Sequence, residues 1–339
     1  MKKLAVFALL LLPFIGLAQE SLIQNVNGRN HFKLNGSWNY IIDPFDNGYY
    51  DYRLNENPNG FFKNRKAKNK GDLVEYNFDT SPLMVIPSDW NTKNGQLFFY
   101  EGSVWFKKDF NYAKKAGQKT FVYFGAVNYD AKVYLNGEKI GEHIGGFTPF
   151  NFDITNKVKD GDNFLIVRVN NERIPEGVPT INADWWNYGG ITREVLIVDV
   201  PEVFVEDYLI QLEKGKYDRI VGNVKLNEKV NGEEVILTIP ELDIEEKLTT
   251  DENGYATFSI KAKPELWSPE NPKLYDVVFT ANGEEVKDQI GFKNIETRGK
   301  AIYLNDEQVF LRGICIHEEA PFRQGRAWNA DDAKVLLGW

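Results

Sequence analysis

Cysteine is almost absent from this sequence, which has one such residue, Cys315, among 339. A single cysteine cannot form an intramolecular disulfide, so a disulfide-stabilised scaffold is excluded and core packing must hold the fold. Histidine is nearly as rare, with three residues, and none has a second histidine at the spacing typical of zinc ligands. The sequence therefore predicts no zinc site and no cofactor, and it leaves dependence on other metal ions open.

Long apolar runs are also scarce. The extended run at residues 4–17 follows Lys2 and Lys3 and ends in small residues before Gln19. This pattern is typical of a cleaved signal peptide, which we predict at residues 1–18. The run is shorter than the roughly 20 residues that a membrane-spanning helix needs, and no second run of similar length follows. We therefore expect an exported protein, secreted or periplasmic, without a membrane span.

Basic patches and several catalytic motifs are missing as well. The formal net charge is −9, and no basic stripe interrupts this balance, so nucleic acid is not an expected partner. There is no GxSxG elbow, no glycine-rich phosphate loop and no catalytic context around Cys315, which we predict as a buried strand residue. Aromatic residues make up 14% of the chain, which argues against disorder.

What the chain does contain is short runs of β-branched and aromatic residues separated by Gly, Asn, Asp and Pro. From residue 22 to 200 this pattern predicts strands arranged in a sandwich or jelly roll, with an Asn-Gly hairpin turn at 136–137. Residues 201–297 predict about seven further strands, which fit an immunoglobulin-like sandwich. Asn-Gly pairs at 231–232 and 282–283 predict hairpins within it.

The pattern changes after residue 298. Residues 301–309 predict a short hairpin, and the continuously apolar residues 310–316 predict a strand buried on both faces, as in a parallel barrel. Residues 329–339 predict the start of a helix capped by Asn329. Together these elements predict the first β/α unit of a barrel that these residues do not complete, since a whole barrel needs roughly 250 residues.

Two clusters concentrate side chains that are typical of a binding site. Residues 182–194 (NADWWNYGGITRE) place Asp184 beside three aromatic residues; aromatic rings stack on the C–H faces of sugars, and a carboxylate accepts hydrogen bonds from hydroxyls. A turn whose aromatic residues pack beneath the loop explains this segment equally well. Residues 312–326 (RGICIHEEAPFRQGR) place His317 and two acids after the predicted barrel strand, where barrel enzymes carry their sites.

Six segments in order resemble glycoside hydrolase family 2, which includes β-galactosidases, β-glucuronidases and β-mannosidases. They are IPSDWN (86–91), YEGSVWFKKDF (100–110), VYLNGEKIGEHIGGFTPFNFDIT (133–155), DWWNYGGITREV (184–195), LWSPENPKLY (266–275) and IYLNDEQVFLRGICIHEEAP (302–321). The resemblance covers almost the whole chain after residue 18. It implies a jelly-roll sugar-binding β-sandwich at 19–200, an immunoglobulin-like β-sandwich at 201–297 and the start of a truncated (β/α)8 TIM barrel at 298–339.

The resemblance also implies roles for single residues. Asp184 matches an acid that hydrogen-bonds substrate hydroxyls, and His317 matches a histidine that contacts the sugar and favours its transition state. We expect Trp185 and Trp186 to support packing and Glu318 to orient the loop. The family hydrolyses with retention through two carboxyl groups about 5 to 5.5 Å apart, and both glutamates would lie on barrel strands beyond residue 339.

We therefore expect the N-terminal part of a retaining exo-β-glycosidase for β-galactosides or β-glucuronides, inactive as these 339 residues alone. A homo-oligomer is compatible with the full-length protein, and the sugar is not determined. A different class stays open: a secreted, non-catalytic carbohydrate-binding or structural module, for which two sandwiches suffice. If the barrel is incomplete, residues 310–316 should be exposed.

Overall fold

The computed structural model describes residues 21–60, 62, 76–323 and 325–338, and the predicted signal peptide lies outside them. Antiparallel strands dominate this part of the chain, which confirms the predicted mainly β fold class. No helix within these residues has both the length and the apolar character needed to cross a membrane.

Two antiparallel sheets pack face to face in the first sandwich. The strands of this part, including one short pair that joins neither sheet, are β1 (His31–Lys33), β2 (Gly36–Asp43), β3 (Leu83–Ile86), β4 (Ser103–Tyr112), β5 (Gln118–Phe124), β6 (Val127–Asn128), β7 (Asp130–Leu135), β8 (Glu138–Ile144), β9 (Phe150–Asp153), β10 (Gly161–Asn170), β11 (Gly190–Ile191) and β12 (Val195–Pro201). One sheet has the order β1-β12-β5-β9, the other has the order β3-β2-β4-β10-β7-β8, and β6 pairs with β11.

Alternation along the strands builds the core of this sandwich. Successive side chains of a strand point to opposite faces, so Phe106 in β4 packs between the sheets while Trp105 packs on the outer face of the six-stranded sheet. Ile197 in β12 is fully buried in the same core. The predicted hairpin turn is confirmed, because Asn136 and Gly137 adopt φ values of 53° and 89° between β7 and β8.

Helical structure in the described residues is brief. A four-residue helix, α1 (Trp90–Lys93), lies between β3 and β4, and its N-terminus is capped by Asp89, whose carboxylate accepts a hydrogen bond from the Thr92 amide. The 3₁₀ turns are Val26–Gly28, Phe78–Thr80, Gly95–Leu97, Pro240–Leu242 and Pro321–Arg323.

The second sandwich has the seven strands that the sequence predicts. They are β13 (Val205–Leu212), β14 (Arg219–Leu226), β15 (Glu234–Ile239), β16 (Ile244–Thr249), β17 (Tyr255–Lys261), β18 (Tyr275–Ala281) and β19 (Glu284–Ile290). They form sheets of order β13-β14-β17 and β16-β15-β18-β19 around a separate core.

The two predicted hairpins of this sandwich have different outcomes. Asn282 and Gly283 form the turn that connects β18 to its antiparallel neighbour β19. The prediction at 231–232 is wrong, since β14 and β15 belong to different sheets and this pair lies in the connection between them. An Asn-Gly pair allows the positive φ that a tight turn needs, and Gly232 has a φ of 84°. The pair does not determine which strands become neighbours, because that depends on the face that each strand buries.

The two sandwiches are joined by a buried contact. Arg29, just before β1, pairs with Glu284 of β19 at 2.8 Å, and both side chains are almost fully buried. Burial raises the pKa of Glu284, and the Arg29 charge opposes this. The side-chain amide of Asn25 donates to the Lys287 carbonyl at 2.7 Å, and a Cβ atom at Gly28 would lie 2.1 Å from that same oxygen.

The remaining strands are β20 (Ile295–Arg298), β21 (Ala301–Leu304), β22 (Glu307–Val309), β23 (Glu319–Ala320) and β24 (Gly325–Arg326), followed by helix α2 (Ala330–Leu337). The predicted hairpin at 301–309 is confirmed by the β21–β22 pairing. The predicted cap is confirmed as well, because the Asn329 side chain accepts a hydrogen bond from the Asp332 amide at 3.0 Å.

The predicted apolar strand at 310–316 is wrong. These residues form no strand, and Phe310 and Ile314 are 85% and 86% exposed. Cys315, predicted as a buried strand residue, is exposed too. A strand of this kind exists only when neighbours pair with its backbone and cover both faces, and no described strand lies beside it. The first unit of a barrel is therefore not shown, although the predicted exposure of 310–316 is confirmed.

Candidate functional site

Three buried asparagines fix two loops of the first sandwich, residues 97–101 and residues 171–189. Asn91 accepts a hydrogen bond from the Gly189 amide at 2.9 Å. Asn171 and Asn187 each donate to the other's carbonyl, at 3.0 and 2.6 Å. The Asn91 amide also donates to the carbonyls of Leu97, Phe98 and Tyr100, at 3.1, 3.2 and 3.4 Å. Because buried amides bonded in this way resist movement, the two loops form one rigid surface.

The 171–189 loop carries the candidate residues of the first cluster. Asp184 is exposed on this loop. Trp185 is 37% exposed and meets the ring of His317 edge to face, with centroids 5.8 Å apart. Trp186 turns the other way and packs against Phe98, with ring centroids 4.7 Å apart.

Residues 317–323 and 325–338, here called the closing segment, dock on the first sandwich through Glu318. One carboxylate oxygen of Glu318 pairs with Arg193, which lies between β11 and β12, and the other pairs with Arg326 of β24. Arg193 also donates to the carbonyl of Ala327 at 2.7 Å. The two arginines thus hold the residue that follows His317 against the sandwich.

Burial shapes the electrostatics of this contact. Arg326 is 2% exposed, and desolvation together with the nearby Arg193 charge lowers its pKa to about 9, so it stays charged at neutral pH. Burial also raises the pKa of Tyr188 to about 12, with a further contribution from Glu319, whose carboxylate its hydroxyl approaches at 3.4 Å. The phenol therefore remains a neutral hydrogen-bond donor.

Trp185 and Trp186 separate two cavities. The first, about 190 Å³, is lined by His317, Tyr188 and Arg326 and is called the His317 cavity. The second, about 370 Å³, is lined by Asp184, Phe98 and Phe99 and is called the Asp184 cavity. Both are lined by the two tryptophans. Asp184 and His317 are therefore near one another in the fold but line different cavities.

The structure gives positions to all five candidate residues, while their roles stay predictions. Sequence reasoning missed Arg193 and Arg326, which pair with Glu318, although both lie inside the quoted clusters. It also missed Phe98 and Phe99, because a pair of aromatic residues in a β-rich chain usually predicts core. No group of three or more His, Cys, Asp or Glu side chains arranged for a metal ion is found in the part of the chain that the structure describes.

Two family models match this chain. The model described as "Glycosyl hydrolases family 2, sugar binding domain" matches residues 32–201. The model described as "Glycosyl hydrolases family 2" matches residues 203–293. The first match alone extends over half of the 339 residues.

Curated and solved relatives agree with these matches. A β-galactosidase of Thermoanaerobacter pseudethanolicus is 29% identical over 303 residues, which are 79% of this chain and 40% of that protein. A β-glucuronidase of Paenibacillus borealis is 25% identical over 290 residues, 76% of this chain and 48% of that protein. The crystal structure of Ruminococcus gnavus β-glucuronidase superposes with a TM-score of 0.74 at 26% identity, over 91% of this chain and 53% of that one. The chain thus spans less than two thirds of each relative.

Proposed function

Because this chain belongs to glycosyl hydrolase family 2, we propose that it forms the sugar-binding and immunoglobulin-like portion of an exported, retaining exo-β-glycosidase. The proposed substrates are β-galactosides or β-glucuronides, the classes that the relatives' names indicate. One observation carries the proposal: Trp185, the neighbour of Asp184, contacts His317. The loop and the segment that bear the two expected sugar-contacting residues therefore meet.

In this proposal the residues of the chain bind and orient the sugar. The exposed carboxylate of Asp184 accepts hydrogen bonds from substrate hydroxyls. His317 contacts the sugar from the opposite side of Trp185 and stabilises the transition state. Glu318 does not react, since both of its oxygens are paired with arginines, and it positions His317.

The bond-breaking step needs two carboxyl groups about 5 to 5.5 Å apart, one that protonates the leaving oxygen and one that attacks the anomeric carbon. The proposal places both glutamates on barrel strands outside residues 1–339. The export predicted from residues 1–18 puts this reaction in the periplasm or outside the cell.

One observation favours the second candidate, a non-catalytic carbohydrate-binding module. Residues 310–316 form no strand, and a module made of two sandwiches has no need of one. The two candidates differ in whether the gene encodes a barrel after residue 339.

The test is to read the gene past codon 339 and to assay two proteins, residues 19–339 and the product of any in-frame continuation. We expect only the longer protein to hydrolyse 4-nitrophenyl β-galactoside or β-glucuronide. In that protein Asp184→Asn should lower kcat/KM by about 10- to 100-fold, the range for hydrogen bonds to a charged group. Asp207→Asn, an exposed acid of the second sandwich, is the matched control and should leave kcat/KM unchanged.

A stop codon after residue 339, with sugar binding and no hydrolysis, would favour the module instead. Turnover by residues 19–339 alone would contradict the placement of the reacting glutamates. An unchanged kcat/KM in Asp184→Asn would remove Asp184 from the substrate site.

A further inference from the structure

The 171–189 loop is anchored at its two ends but has few buried contacts between them. Asn171 and Asn187 exchange hydrogen bonds at its base. Residues 174–182, which lead to Asp184, are mostly exposed. An exposed stretch of this kind does not hold a side chain in one position, because few buried contacts oppose its movement. A fixed position for Asp184 therefore requires a further contact within the loop.

Arg173 makes that contact from the start of the same loop. One terminal nitrogen of its guanidinium donates a hydrogen bond to the Trp185 carbonyl at 2.7 Å. The other terminal nitrogen lies 3.5 Å from the Ala183 carbonyl oxygen, which is a longer and weaker contact. Since these carbonyls belong to the residues on either side of Asp184, the guanidinium fixes the backbone before and after it.

Arginine is chemically suited to this role. Its guanidinium is planar and always charged, and it presents its donors in a fixed fork. Hydrogen bonds from a charged donor are shorter and stronger than neutral ones, in agreement with the 2.7 Å to the Trp185 carbonyl. A lysine would keep the charge but lacks the fork that reaches two separate carbonyls. The pair of contacts therefore depends on an arginine at position 173.

We propose that Arg173 is a positioning residue for Asp184. By bonding the carbonyls of Ala183 and Trp185, it holds the Asp184 carboxylate where it accepts hydrogen bonds from the same sugar that His317 contacts. The inference rests on the proposed function and adds a residue to it. Arg173 acts through the loop and does not itself touch the sugar.

A direct contact between Arg173 and the sugar is the alternative, since Arg173 also lines the Asp184 cavity. The geometry favours positioning, because both terminal nitrogens are directed at backbone carbonyls. The remaining Nε atom is buried, without a hydrogen-bond partner within the described residues. Much of the donor capacity of this guanidinium is thus turned towards the protein.

The first measurement needs no sugar. Hydrogen–deuterium exchange of the chain from residue 19 should be several-fold faster over residues 182–188 in Arg173→Met than in the wild type. Methionine keeps much of the length of the side chain and removes both donors. The hairpin at 131–139 should exchange at the wild-type rate in both proteins. Unchanged exchange over residues 182–188 would overturn the positioning role.

The second measurement links Arg173 to sugar binding. Galactose and glucuronate are titrated into the mature product of the full reading frame, and tryptophan fluorescence gives Kd. We expect Arg173→Met to raise Kd for the bound sugar about three- to tenfold, because the apparent affinity falls with the fraction of molecules whose loop is in the binding position. Asp184→Ala should raise Kd further. The double variant should bind no more weakly than Asp184→Ala, since Arg173 acts through Asp184.

Two further variants separate positioning from other roles. Arg53→Met, the matched control, removes an exposed arginine of a different loop and should leave Kd unchanged. Arg173→Lys should bind the sugar nearly as weakly as Arg173→Met, and wild-type affinity in Arg173→Lys would show that charge alone suffices. A purely structural role would lower the folded fraction, measured by circular dichroism, and leave the Kd of the folded protein unchanged.

The outcomes distinguish this inference from the proposed function. Additive effects in the double variant would show that Arg173 contacts the sugar itself and would overturn the positioning role. An unchanged Kd in Arg173→Met beside a raised Kd in Asp184→Ala would overturn it too, with the proposed function left standing. An unchanged Kd in Asp184→Ala, or no sugar binding by the wild type, would contradict the proposed function on which the inference rests.

Discussion

The first sandwich and residues 310–316 contain the same kind of apolar residues, which are buried in the sandwich and exposed in residues 310–316. Ile197 lies in β12 between paired neighbours and is fully buried, whereas Ile314 is 86% exposed in a stretch without regular structure. The difference is in the surroundings, since β12 has β1 and β5 on either side. An apolar run describes what a segment can bury, and neighbouring strands decide whether it does.

The sharpest test of this comparison is the same substitution in both regions. Ile197→Ala should lower the free energy of unfolding by about 4 kcal/mol, because it leaves a cavity in a close-packed core. Ile314→Ala should change it by less than about 0.5 kcal/mol, as expected for an exposed side chain. Urea denaturation followed by tryptophan fluorescence measures both. A large loss in Ile314→Ala would show that residues 310–316 pack in solution.

Substitutions of two adjacent acids in the closing segment should differ in how fast proteases cut the chain, a smaller effect than the loss of stability above. Glu318→Gln leaves the buried Arg326 without its carboxylate, so the closing segment should detach more often. Limited proteolysis should then cut within residues 310–327 several times faster than in the wild type. Glu319→Gln, the matched control, loses one contact at 3.4 Å and should be cut at nearly the wild-type rate. Equal rates in the two variants would mean that the arginines do not hold this segment.

The smallest effect concerns acid sensitivity within the first sandwich. His143 stacks on Phe150 with centroids 4.2 Å apart, and burial lowers its pKa below the ordinary value of about 6.5. The folded state therefore favours the neutral ring, and the stability it contributes is present above pH 6.5 and lost as pH falls through the folded-state pKa. His143→Phe should flatten the loss of thermal stability between pH 7.5 and 5. Ile314→Ala, which keeps every titratable group, should follow the wild type, and a wild-type slope in His143→Phe would contradict this account.

Sequence reasoning found the features that local patterns encode. The turn at Asn136 and Gly137, the helix cap at Asn329 and the seven strands of the second sandwich each depend on a few neighbouring residues. The predictions of a hairpin at 231–232 and of a strand at 310–316 failed, because strand pairing depends on strands that are distant in the chain.

The positions of the candidate site residues could be predicted from the sequence to a similar extent. Asp184 and His317 follow from the family resemblance and lie on segments that meet. The pairing of Arg193 with Glu318, 125 positions away, and the contact of Asn91 with Gly189, 98 positions away, did not follow. Residues so far apart in the chain give no local signal of their pairing. The exposed rings of Phe98 and Phe99 were not predicted, because exposure is a property of the folded surface.

The junction at Gly28 and Arg29 has no room for a larger side chain. A notional Cβ at position 28 would lie 2.1 Å from the Lys287 carbonyl oxygen, so any side chain there would push the two sandwiches apart. The ion pair beside it is almost fully buried. A side chain at position 28 would therefore also separate Arg29 from Glu284 and leave two buried charges without partners.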